Sequence, residues 1–158
     1  MMRDPRDGRT LLLVEDSLDD VLFFRRAWHK AGQAAFQRVE DGESAVAYLE
    51  GRDEYRDRVR FPLPSLVVLD LKLPRKHGLE VLAWIRGSDR FRALPVVVLT
   101  SSREAGDIAG ARALGVTAYH VKPVDARELH AIAASIAAAL PATSPPEPSA
   151  KPRGDADR

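Results

Sequence analysis

Short unbroken apolar runs alternate along this chain with longer stretches in which apolar residues recur every three or four positions. Thr10–Val14 (TLLLV), Leu66–Leu69 (LVVL) and Val96–Leu99 (VVVL) are of the first kind. They are rich in β-formers and apolar nearly throughout, as strands covered on both faces of a parallel sheet are. Phe36–Val39 and Thr117–Val121 are weaker, shorter candidates. Of the second kind, Val21, Phe24, Trp28 and Ala31 predict a helix over 18–31, opened by a capping-box-like Ser17 with Asp20 and closed by Gly32. Asp41-Gly42 marks a turn before a short helix over 43–50 carrying Ala45, Val46 and Leu49. Further helices are predicted over 79–86 (Leu79, Leu82, Ala83, Ile85), over 104–114 with Gly115 as its stop, and over 125–140 with Leu129, Ile132, Ala133, Ile136 and Leu140 on one stripe.

Five strands alternating with five helices predict an α/β fold: a doubly wound, five-stranded parallel sheet with right-handed crossovers and helices on both faces. Residues 1–9 form a polar lead-in, 10–140 the folded domain and 141–158 a tail. The tail has five prolines and no large apolar residue, a disordered composition. Residues 51–64, GRDEYRDRVRFPLP, set four arginines against three acids and read as a solvated loop or frayed helix extension.

Composition narrows the function classes. At 158 residues the chain suits one domain and a tail. A net charge of +1 gives no electrostatic footprint for nucleic acid or an anionic membrane. With no cysteine, disulfides and thiolate metal sites are excluded. No apolar run approaches the roughly 20 residues of a spanning helix, and Glu15 and Asp16 interrupt LLLV too early for a signal peptide. A cytoplasmic location is expected.

In such a sheet, sites form at the carboxyl ends of the strands. Strand one ends at Glu15 and Asp16, strand three at Asp70, strand four at Thr100 and strand five at Lys122. Taken singly, each has an ordinary reading: Asp70 as a turn or cap residue, Glu15-Asp16 as a helix start, Thr100 as a β-branched strand residue, Lys122 as a surface charge. Four strand ends carrying such residues together are a poor fit to coincidence. Clustered carboxylates call for a hard divalent cation such as Mg²⁺. Asp70 then suits attack on phosphorus, with Lys122 and Thr100 meeting phosphoryl oxygens.

VED at 14–16, LDLKLP at 69–74 followed by Gly78, LTS at 99–101 and YHVKP at 119–123 resemble the receiver domain of bacterial two-component response regulators. The spacing agrees as well, with 30 residues from Asp70 to Thr100 and 22 from Thr100 to Lys122. The resemblance implies a flavodoxin-like (βα)5 fold with strand order 2-1-3-4-5. It implies Asp70 as phospho-acceptor and Asp16 as a direct Mg²⁺ ligand, with Glu15 nearby or acting through water and the Lys72 carbonyl as a further ligand. Thr100 and Tyr119 would form a switch pair, and Lys122-Pro123 a cis peptide. The partner would be a separate sensor histidine kinase, the chemistry self-phosphotransfer with slow autodephosphorylation, and the output phosphorylation-dependent contacts with an unknown downstream protein. The extended 51–64 segment, with VEDS followed by DD, resembles stand-alone regulators that partner bacteriophytochrome-type kinases.

Other residues stay open. Lys72 places a cation near the site mouth, either tuning phosphoryl lifetime or merely solvated. Tyr119 is also readable as core filler. Leu22, Phe23, Phe24 and Trp28 make helix one apolar around much of its girth, for core packing or kinase docking. Ala131, Ala134, Ser135 and Ala138 in helix five suit a homodimer or simple helix propensity. His29, His77, His120 and His130 lack ligand spacing. Two rivals remain: a haloacid-dehalogenase-type phosphotransferase, which usually carries a second Asp where Lys72 stands, and an interaction module with a vestigial pocket. With no basic patch and no room beyond Leu140 for a DNA-binding helix pair, nucleic acid is not an expected partner.

Overall fold

The computed structural model describes residues 9–33 and 35–141. The expected 141–158 tail beyond its first residue, and most of the lead-in, lie outside the described residues. Five parallel strands stand in the order β2-β1-β3-β4-β5: β1 Leu11–Val14, β2 Gln37–Val39, β3 Leu66–Leu69, β4 Val96–Thr100 and β5 Ala118–Val121. Five α-helices alternate with them: α1 Leu18–Lys30, α2 Gly42–Glu50, α3 Gly78–Gly87, α4 Ala105–Ala113 and α5 Ala126–Ala139. The expected fold and strand order are the observed ones.

The all-apolar strands are explained by two cores, one on each face of the sheet. Because side chains alternate along a strand, Leu12, Val14, Val67, Leu69, Val96 and Val98 meet Leu49, Val81, Leu82, Ile85 and Ala111 of α2, α3 and α4 on one face. Leu11, Leu13, Leu66, Val68, Val97 and Leu99 meet Val21, Phe24 and Trp28 of α1 and Ala133 and Ile136 of α5 on the other. Phe24 stacks on Trp28 and meets Phe36 edge-on, which closes that face toward β2.

Register fixes where the strands end. Val14 pairs with both Val39 and Leu69, and Leu69 with Val98. The acids that follow Val14 and Leu69 therefore leave the sheet side by side. Beyond Asp70 the chain turns sharply: the Gly78 N–H donates to the Leu71 carbonyl at 2.9 Å. A β-carbon at Gly78 would run into the Asp70 carbonyl oxygen and the Leu71 α-carbon, so only glycine fits this approach.

The 51–64 segment is not a frayed extension. A 3₁₀ turn, Asp53–Arg56, folds Tyr55 back onto α2. The rings of Tyr48, Tyr55 and Phe61 then pack with centroids 5.1–6.0 Å apart. Arg58 donates to the carbonyls of Tyr48 (2.8 Å), Leu49 (2.9 Å) and Phe61 (3.1 Å), capping the carboxyl end of α2. The Tyr48 hydroxyl donates to the Pro62 carbonyl at 2.7 Å. The arginine-rich composition hid a satellite core built on three aromatic rings.

Candidate functional site

Lys122 is the hub at the carboxyl edge of the sheet. It follows β5, and its Nζ lies 2.6 Å from Glu15 Oε1, 2.7 Å from Asp20 Oδ2 and 2.9 Å from Asp70 Oδ2. Burial alone would lower its pKa, but hydrogen bonds to Asp20, Glu15 and Asp70 outweigh it, and the ammonium is held above its ordinary range. The Lys122–Pro123 bond, expected cis, is trans; no described peptide bond is cis. Trans is the intrinsically favoured isomer even before proline, and the ammonium makes its three contacts with it.

Glu15, Asp16 and Asp70 each offer a carboxylate oxygen within 4.8 Å of the others. Glu15 and Asp70 are 4% exposed, whereas Asp16 faces solvent. The Glu15 side chain also accepts the Ser17 N–H at 3.2 Å. Burial pushes Glu15 up from 4.5 to about 7; Lys122 pulls it down in part, and Asp70 pushes it up again. One ammonium thus leaves negative charge uncompensated here, and a hard cation with oxygen ligands matches that deficit. The donor set fits a divalent metal, with Asp16 open to the solvent from which the ion would keep its waters.

The Asp70 carboxylate is held from two sides. Its Oδ1 accepts the Lys72 N–H at 3.2 Å and its Oδ2 accepts Lys122 Nζ. The Lys72 ammonium turns away toward α4, 3.7 Å from both Glu104 and Asp107. Thr100, fully buried at the end of β4, accepts the Ser102 N–H on its hydroxyl at 3.4 Å, and its carbonyl accepts the Lys122 N–H at 2.8 Å. Tyr119 donates its hydroxyl to the Ser102 carbonyl at 2.9 Å. Ser102 Oγ in turn lies 2.5 Å from Asp107 Oδ2, and that hydrogen bond holds the Asp107 carboxyl below its ordinary range.

The predicted residues therefore form two connected groups: Glu15, Asp16, Asp70 and Lys122 at the centre, and Thr100 and Tyr119 joined through Ser102 beside it. Asp20, legible as the capping-box partner of Ser17 and as part of the DD pair, gives the Ser17 cap only its N–H; its carboxylate goes to Lys122 instead. Ser102 and Asp107 carried no spacing signal. His77 caps α3, its Nδ1 accepting the Leu79 N–H at 3.1 Å.

Residues 11–134 match the family model of the response regulator receiver domain. The probable methanogenesis regulatory protein FilR2 of Methanothrix harundinacea is 36% identical over 132 residues, which cover 80% of this chain and 79% of that protein. The structure of the phosphorylated cyanobacterial phytochrome response regulator RcpA superposes with a TM-score of 0.74 at 31% identity, covering 89% of this chain and 99% of RcpA. The Mn²⁺-bound form of response regulator Rcp1 gives 0.74 at 32% identity, covering 89% and 100%.

Proposed function

The chain belongs to the response regulator receiver family, and from that premise we propose that Asp70 is the residue that accepts the phosphoryl group. Receiver domains of two-component systems signal by phosphorylation from histidine kinases and bind a divalent metal. In this chain the new P–O bond forms from an Asp70 carboxylate oxygen while the P–N bond to the donor imidazole breaks, the electron pair leaving with the nitrogen. Lys122, already against Asp70, follows a phosphoryl oxygen as a point charge, and the Thr100 hydroxyl donates to another. Glu15, Asp16, Asp70 and the Lys72 carbonyl would hold the ion, with Mg²⁺ as the metal; when bound it offsets charge on the transferring group. Water reverses the modification slowly, so the chain is a phospho-acceptor with self-phosphotransfer and autodephosphorylation, not a turnover enzyme.

The observation that carries this reading is the Lys122 ammonium joined to Asp70 and Glu15 within a cluster of acids. A dehalogenase-type enzyme is disfavoured, because the position of its second Asp is Lys72, whose side chain pairs with α4. Likeness to RcpA supports a bacteriophytochrome-type kinase as the phospho-donor. No described helix is long and apolar enough to cross a membrane, which agrees with a cytoplasmic setting. Output runs through Thr100 and Tyr119, whose shared tie to Ser102 lets a change at Asp70 repack α4 and β5 for a downstream protein. The exposed small residues of α5 are the proposed face for a second copy.

Intact mass after incubation with acetyl phosphate and Mg²⁺ tests the reading. A single phosphoryl adduct on the wild type, absent from Asp70→Ala, is expected. Multiple turnover without an adduct would indicate the enzyme instead, and an adduct surviving in Asp70→Ala would remove Asp70 from its role.

A further inference from the structure

Three hydrogen bonds tie the exit of β1 to the edge strand, and two of them come from one side chain. The Glu15 N–H donates to the Val39 carbonyl at 3.0 Å. Arg38 Nε donates to the Glu15 carbonyl at 2.9 Å and its Nη2 to the Asp16 carbonyl at 3.3 Å. The strand pairing of β1 ends with Val14 opposite Val39, so the Glu15 and Asp16 carbonyls fall beyond the ladder. A guanidinium carries its donors in a fixed planar fork, which lets one half-buried side chain hold two consecutive carbonyls. Those two peptides carry the carboxylates that face Asp70.

Mg²⁺ tolerates little departure from octahedral geometry, and groups that orient its ligands matter nearly as much as the ligands themselves. We infer that Arg38 is a positioning residue for the cation site: its fork fixes the Glu15–Asp16 backbone so that both carboxylates are presented to the ion. This rests on the reading of Glu15, Asp16 and Asp70 as that site. The charge of Arg38 acts in the opposite direction, because a guanidinium near a cation site repels the ion. The sign of the effect therefore separates positioning from electrostatics.

Calorimetric titration of the full chain with Mg²⁺ provides the test, on wild type, Arg38→Met, Arg38→Lys and a core control, Ile136→Val. Arg38→Met keeps the apolar stem and loses the donors, and is expected to bind about ten-fold more weakly. Arg38→Lys, whose ammonium reaches one carbonyl, is expected to lose less. Ile136→Val is expected to melt lower and bind as the wild type does. Binding by Arg38→Met as tight as or tighter than wild type overturns the inference, as does an equal loss in the control. Where the Met variant fails to fold, the Lys variant decides by the same sign. A wild type that binds no Mg²⁺ overturns the cation-site reading and this inference with it, whereas normal binding by wild type and variants alike overturns the role of Arg38 alone.

Discussion

Lys122, Asp20 and Arg38 show how far single residues could be read ahead of the structure. Lys122 was legible because it ends a strand beside a proline in a sheet whose other strands also end in polar groups. Its partner Asp20 lies 102 residues away in sequence, and no local pattern distinguishes a capping-box acid from one whose carboxylate goes to a distant lysine. Arg38 sits in a three-residue edge strand whose half-buried positions blur the alternation that would have pointed it anywhere. His120 lends itself to a prediction at this scale. Burial lowers its pKa below the ordinary 6.5, so the unfolded chain binds the proton more readily. His120 therefore contributes a destabilisation that is absent above pH 6.5 and grows as pH falls below it toward the lowered folded value. Urea denaturation of wild type and His120→Gln between pH 7.5 and about 5 should show the variant losing less stability on acidification. Parallel pH profiles would remove His120 as the cause.

At the scale of elements, β1, β3 and β4 were legible because burial on both faces writes itself as an unbroken apolar run. Their ends moved by one residue at most: Thr10 is buried yet outside β1, and β4 takes in Thr100. The 51–64 segment was not legible, because Tyr48, Tyr55 and Phe61 sit at spacings of no single period. Its order depends on a tertiary contact, the Arg58 guanidinium over the last carbonyls of α2. Arg58→Ala is expected to cost about 2 kcal/mol in urea denaturation, since hydrogen bonds from a charged donor are lost at partly buried acceptors. Phosphorylation stoichiometry should be unchanged, because the segment packs on α2 rather than at the acidic cluster. An unaltered midpoint would show that the loop is held by its rings alone.

Across the whole molecule, one face of the sheet carries α1 and α5 packed together, with α1 sending Asp20 to Lys122, while on the other face α4 is tied to the loops that leave β3 and β4. Two routes lead from this edge of the sheet to α4: from Lys72, whose N–H donates to Asp70, to Glu104 and Asp107, and from Thr100 through Ser102 to Asp107. Both routes start within two residues of the proposed acceptor or at the proposed switch threonine. Lys72 is half-exposed where its side chain spans from the end of β3 to Asp107 of α4, and on the proposed reading that span would hinder water from reaching a phosphoryl group on Asp70. Lys72→Ala is therefore expected to shorten the phosphoryl lifetime several-fold, followed as loss of the adduct after the donor is removed. Equal lifetimes would leave Lys72 as a surface ion pair of little consequence.

All of this depends on where the phosphoryl group resides. Reduction of the phosphorylated protein with borohydride converts an aspartyl phosphate to homoserine, and peptide mass spectrometry then locates it. Homoserine is expected at position 70 alone, dependent on the phosphoryl donor. Homoserine at position 16 or 20, the corresponding 5-hydroxy residue at position 15, or a phosphoryl adduct on one of the histidines, with Asp70 intact, would contradict Asp70 as the acceptor.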